Sequence, residues 1–351
     1  MTPSGRIQLS RRTFLSGIVV TGAVTRFPTR SSAQADSSIA WERVAAEGAG
    51  PTPRWDHILV ADAAQRRLIL FGGRDATGAA LGDTWVFDIV TAEWNEIPGT
   101  QPPARFGVAA SVDASGGGVY LFGGQQADIF YNDTWRYDFP LDAWQPIDPG
   151  DGVAPTPRYG LGGVVDDMGR FIISHGFTSA GRFDDTWAFD IAAGGWTDIS
   201  PPEDARPMHR CLHEQVWDSE SGRMLLYAGC SSGFGPCPQG DAWTFDPVLG
   251  IWSEVTPAAG PDARSNPALT QFPANSMTLL VGGLTAAGYA GDAWLGRLKD
   301  GMMEWASIQP TGQAPGPRAS HDMAALGNQV FLFGGNSDAG ALDDLWSATL
   351  S

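Results

Sequence analysis

Asp83-Thr84-Trp85, Asp133-Thr134-Trp135, Asp185-Thr186-Trp187, Asp241-Ala242-Trp243, Asp292-Ala293-Trp294 and Asp344-Leu345-Trp346 repeat one tripeptide pattern six times, and their spacing decides the fold. Working outward, an apolar run ends in glycine before each of them, at Gly73, Gly124, Gly176, Gly229, Gly283 and Gly335, a period of about 52 residues. A second tryptophan follows at Trp94, Trp144, Trp196, Trp252 and Trp305, and an arginine opens each copy at Arg54, Arg105, Arg158, Arg210, Arg264 and Arg318. Each unit therefore reads as four short strands: one after the arginine, one ending at the glycines, one through Asp-x-Trp and one through the second tryptophan. The chain has 351 residues with 45 Gly and 25 Pro spread as turn punctuation, which suits many short strands and an all-β class.

Four-stranded sheets repeated radially make a β-propeller. The glycines, the aromatic-Asp runs and the spaced tryptophans resemble the kelch-repeat family, over Trp41 to Trp346. That resemblance implies a six-bladed propeller with four-stranded blades. The last unit stops at Ser351 without its outer strand, and Trp41-Glu42-Arg43-Val44 stands as far before Arg54 as Trp305 stands before Arg318. The N-terminal strand is expected to complete the sixth blade and close the ring.

Residues 1–35 read as a separate segment and 36–351 as the propeller. Ser10-Arg11-Arg12-Thr13-Phe14-Leu15, a short apolar run and Ala33-Gln34-Ala35 resemble a twin-arginine export signal cut after Ala35, which implies a periplasmic or secreted protein without a membrane anchor. Lysine occurs once, at Lys299, and the net charge of −17 becomes more negative by five when that segment and its arginines are removed. A basic nucleic-acid footprint is absent. In an oxidising compartment Cys230 and Cys237 are expected to form a local disulfide, leaving Cys211 alone.

The first strand of each blade is expected to line a central channel, its side chains alternating between channel and blade body. In ligand-binding kelch proteins, as the resemblance implies, the arginine sits at the mouth and the residues one, three and five positions later face inward. The outer tier is then Trp55, Phe106, Tyr159, Cys211, Ser265 and Ala319. The next is His57, Val108, Leu161, His213, Pro267 and His321, and the lowest Leu59, Ala110, Gly163, Gln215, Leu269 and Met323. Arg54, Arg105 and Arg158 beside Trp55, Phe106 and Tyr159, with Arg210, Arg264 and Arg318 completing the circle, could grip an acidic small molecule, glycan or protein segment by paired hydrogen bonds and stacking. The same arginines could instead pair with an Asp of their own blade. His57, His213 and His321 share one tier with Cys211 above, a donor set suited to copper, iron or zinc; equally, they could be buried, hydrogen-bonded repeat residues. The repeat tryptophans read as wedges between blades, and the Asp of each Asp-x-Trp as a turn residue.

Phosphate-cradle and His-Glu-x-x-His patterns are missing. The foremost expectation is an exported, monomeric binding module. The alternative is an enzyme, resembling either the six-bladed sialic-acid mutarotases or a galactose-oxidase-like metal oxidase or lyase; a partner-binding disc is the third.

Overall fold

A computed structural model describes residues 38–44, 50–148, 150, 152–257 and 259–350. The Arg11-Arg12 pair and the Ala33-Gln34-Ala35 site lie outside the described residues. Within them the fold is all-β, with a single 3-10 turn at Glu203–Ala205.

Six antiparallel sheets follow the six sequence units in order. The first runs Ile58–Asp62, Arg67–Phe71, Thr84–Asp88 and Glu93–Glu96. The next four repeat that order, their first strands being Ala109–Val112, Gly162–Val165, Glu214–Asp218 and Ala268–Phe272. The sixth contains Asp322–Leu326, Gln329–Phe333 and Leu345–Leu350, and its fourth strand is Ile39–Val44, from the other end of the chain. Trp41 stands opposite Ala348, and Arg43 opposite Trp346.

Local sequence explains the strands. The second strand of each unit is mostly apolar, such as Leu68-Ile69-Leu70-Phe71 after Arg67, and its last four residues are buried because both faces of its sheet are covered. At the outer hairpins an aspartate ends the third strand and turns the chain: Asp88 Oδ1 accepts from the Val90 and Thr91 amides, and Asp190 and Asp246 repeat the device.

The first strand of each sheet touches the first strand of the next, and that of the sixth touches that of the first. Two residues after each opening arginine the backbone is left-handed, at Asp56, Gly107, Gly160, Leu212, Asn266 and Ser320. These six residues form a cycle of backbone hydrogen bonds. Each amide donates to the carbonyl of its counterpart in the preceding unit at 2.7–3.0 Å, with Asp56 N–H donating to Ser320 and so joining the first unit to the sixth.

The expected alternation between channel and blade body is corrected here. The first strand of each sheet lines a common cavity, and both faces of the sheet pack against neighbouring sheets. Leu59 packs with Ala324 and Phe331 of the sixth sheet, whereas Ile58 and Val60 pack with residues of the second. The residues three and five positions after each arginine thus lean on the preceding sheet. The second tryptophans act as wedges there: Trp144, Trp196 and Trp252 each cross to the sheet before, donating an indole N–H to Thr84, Thr134 and Thr186 at 2.8–3.2 Å.

Candidate ligand mouth and central channel

The six opening arginines are buried, none more than 2% exposed. Each forms a two-pronged ion pair with the Asp of its own unit: Arg54 with Asp83, Arg105 with Asp133, Arg158 with Asp185, Arg210 with Asp241, Arg264 with Asp292 and Arg318 with Asp344, at 2.5–2.9 Å. Nη1 also donates to a backbone carbonyl at the glycine turn, as Arg54 does to Gly72, and Nε donates to a carbonyl two residues upstream, as Arg54 does to Thr52. The second carboxylate oxygen of each Asp accepts the indole N–H of the tryptophan two residues on, at 2.6–2.8 Å. Two expectations are corrected. These arginines spend their donors on holding first strand, glycine turn and third strand together, and so offer no free fork to a ligand. The paired aspartates are ion-pair partners; turn-making belongs to aspartates at the strand ends. The ion pairs hold the Asp83, Asp185, Asp241, Asp292 and Asp344 carboxyls below their ordinary range, even though burial pushes the other way.

One residue further on, Trp55, Phe106, Tyr159, Cys211, Ser265 and Ala319 each pair in antiparallel fashion with the residue just past the glycine turn. Gly73 shows why glycine stands at that turn. Its φ is +93°, and a Cβ would lie 2.8 Å from the Trp55 carbonyl oxygen. On the first three units this ring is aromatic, and the sequence reading missed further members. Tyr159 meets Phe106, Phe130 and Phe177 with ring centroids 5.6–6.1 Å apart. The Arg74 guanidinium sits 4.4 Å from the Phe106 ring and 5.3 Å from Trp55. It binds Asp56 through Nη2 at 2.5 Å, while its buried Nε has no partner among the described residues. Arg182 lies 5.2 Å from Phe177 and donates to the Cys230 and Ser232 carbonyls. Both arginines lie between the glycine turn and the Asp-x-Trp element, a stretch that differs from unit to unit, so no repeated spacing marks them. The signal open to a sequence reading was a cation outside the repeat, close to the glycine turn of an aromatic unit.

Below the backbone ring lies a cavity of about 460 Å³ lined by all six first strands. Its ionisable lining includes Asp56, Glu214 and Asp322, which the sequence reading also missed. Asp322 accepts the Leu59 and Met323 amides at 2.7 Å, so it caps the free edge of the first sheet's inner strand. Ser111 does the same for Val165. Burial pushes Asp322 up to about 7, and burial with Asp322 and Asp56 nearby pushes Glu214 well above the usual carboxylate range.

His57, His213 and His321 do not converge. Each leans on the preceding sheet: His57 edge-on to Phe333 at 5.5 Å, His213 against His175 at 5.3 Å, and His321 beside Gly282. Their ring nitrogens lack hydrogen-bond partners among the described residues, and burial holds them neutral, with His57 and His213 lowered to about 3. Among the described residues one trio of potential ligands has donor atoms within 4.8 Å of one another, Asp184, Glu203 and His209, and Arg206 already pairs with Asp184 there. The expected copper, iron or zinc set of His57, His213, His321 and Cys211 is therefore not assembled, because those side chains occupy different seams between sheets. Cys230 and Cys237 are joined by a disulfide with Cα atoms 4.4 Å apart, and Cys211 is a buried thiol.

The chain is similar in sequence to known proteins. The chain is 29% identical to Kelch domain-containing protein 3 of Homo sapiens over 232 residues, 61% of this chain and 57% of that protein. It is 28% identical to Acyl-CoA-binding domain-containing protein 4 of Arabidopsis thaliana over 194 residues, 54% of this chain and 28% of that protein. Adagio protein 3 of Arabidopsis thaliana is 26% identical over 288 residues, 77% of this chain and 46% of that protein. The chain thus spans less than two thirds of the length of these relatives. The model of one family, described as the KLHDC2/KLHL20/DRC7 Kelch-repeats domain, matches residues 34–229. That match covers more than half of the chain, which therefore belongs to this Kelch-repeat family.

Proposed function

We propose that the chain is a closed six-bladed propeller, its sixth blade completed by Ile39–Val44, that works as a binding module. The backbone ring and the cyclic contacts of the inner strands support closure. The ligand is an acidic protein segment, glycan or small molecule, taken at the mouth of blades one to three. The observation that carries this reading is Arg74: a guanidinium side chain 32% exposed, framed by Trp55 and Phe106 and next to the Tyr159 cluster. A carboxylate arriving there gains a charge-assisted hydrogen bond beside aromatic faces. The cavity below is lined by no arginine or lysine among the described residues, so the cation that meets an anion stands at the mouth. Export through the twin-arginine route rests on the Arg11-Arg12 segment, with the Cys230–Cys237 bridge as chemical support. The oxidase reading loses its basis with the separated histidines.

The test is a panel of Asp- and Glu-rich peptides and uronic- and sialic-acid glycans, against neutral counterparts. Arg74→Glu and Trp55→Ala should each weaken capture of the acidic members about tenfold or more, one charge-assisted contact being worth roughly 1.5–3 kcal/mol, while the circular dichroism stays that of the folded chain. Capture that survives both substitutions removes the mouth as the site.

A further inference from the structure

Cys211 and the Cys230–Cys237 disulfide stand on paired segments at the edge of this mouth. Cys211 and Cys230 face each other as an antiparallel pair that exchanges both backbone hydrogen bonds, Cys211 N–H to Cys230 at 3.1 Å and the reverse at 2.8 Å. Directly opposed residues project from the same face of a ladder, and such a pair has Cα atoms about 5.5 Å apart, inside the range a disulfide spans. Cys230 is already bonded to Cys237, which lies on an exposed loop, whereas Cys211 is only 1% exposed. Arg182 reaches the group as well: Nη2 lies 3.6 Å from Cys230 Sγ, and its positive charge favours the Cys211 thiolate.

We propose that these residues carry out an internal thiol–disulfide exchange, in which Cys211 takes Cys230 from Cys237 and opens the 231–237 loop beside the mouth. The Cys211 thiolate attacks Cys230 Sγ. The Sγ–Sγ bond between residues 211 and 230 forms as the one between 230 and 237 breaks, and the electron pair leaves on Cys237 Sγ, which takes up the proton that Cys211 gave away. Nothing is oxidised or reduced overall, so no external redox partner is required. The loop released at its Cys237 end holds Phe234, stacked on His209 at 4.4 Å, and Ser232, whose carbonyl binds Arg182. The exchange therefore reshapes the rim where Arg182 faces Phe177. Burial pushes the Cys211 thiol up, so the exchange is slow near neutrality and quickens with pH.

The full oxidised chain is incubated in its native state with iodoacetamide from about pH 6 to about pH 9, and labelled peptides are mapped by mass spectrometry. The expected product carries the label on Cys237 with Cys211 joined to Cys230, at a rate rising about tenfold per pH unit below the thiol's ionisation. Label on Cys211, or no label on Cys237 at any pH, overturns the proposal. In Cys237→Ser, mild oxidation should join Cys211 to Cys230 with the circular dichroism unchanged. Two thiols that stay unjoined in the folded variant also overturn it. Both readouts are independent of ligand capture, so they stand whether or not the acidic-ligand reading holds.

Discussion

At Arg158 a single guanidinium binds Asp185, the His175 carbonyl and the Thr156 carbonyl, tying three parts of its unit together. Removing one partner of such a pair strands the other in a poorly solvated place. Arg158→Leu should therefore cost about 3–5 kcal/mol of stability, read as a shift of the urea midpoint. A variant that unfolds at the wild-type midpoint would show that Asp185 finds water instead. Loss of ligand capture in such a variant would report damage to the blade, which is why the mouth is tested at Arg74. Sequence spacing left ligand contact and pairing with an aspartate of the same unit both open for these arginines; the fold decided for the pairing.

At the level of the sheets, the seams explain one irregularity of the repeat. The second tryptophans of sheets two, three and four donate to the threonine of the preceding Asp-Thr-Trp. The fourth unit has Ala242 in place of that threonine, and the indole nitrogen of Trp305, from the next sheet, is buried without a partner among the described residues. Ala242→Thr should restore the hydrogen bond and raise stability by about 1 kcal/mol, measured as a higher Tm. A fall in Tm would mean that the fully buried Ala242 pocket has no room for the added atoms. Alternation along the inner strands was likewise legible as a period of two. Which two environments alternate was not legible, because a strand's pattern is the same whether its second face meets a lumen or another sheet.

Across the whole molecule, buried ionisable groups set opposing responses to pH. The imidazoles of His57, His175, His213 and His321 are held below their ordinary 6.5 by burial. A lowered folded pKa means that the unfolded chain binds the proton first, so their contribution is complete above 6.5 and is lost as pH falls below it. The ion-paired aspartates add a further loss below their ordinary 3.8. Asp322 acts in the opposite direction: raised to about 7, it is most favourable protonated, and it costs stability as pH climbs from 3.8 through 7. Urea midpoints measured from about pH 8 down to about pH 4 should fall on the acid side, less steeply in His213→Asn, while Asp322→Asn should lose the decline near pH 7. Unchanged slopes in both variants would mean that water reaches these groups in the folded state.

The sequence by itself determined the all-β class, the six units and their boundaries, and the matching of residues near 41 with the incomplete sixth unit, because repeat period and hydrophobic spacing are properties of order along a chain. Only the tertiary structure decided that the repeated arginines are consumed within their own sheets, that the histidines part into separate seams, and that Arg74, Arg182 and Asp322 face mouth or cavity. Those outcomes depend on which side chains from distant units compete for the same buried space and the same hydrogen-bond partners, and that competition begins once the sheets stand side by side.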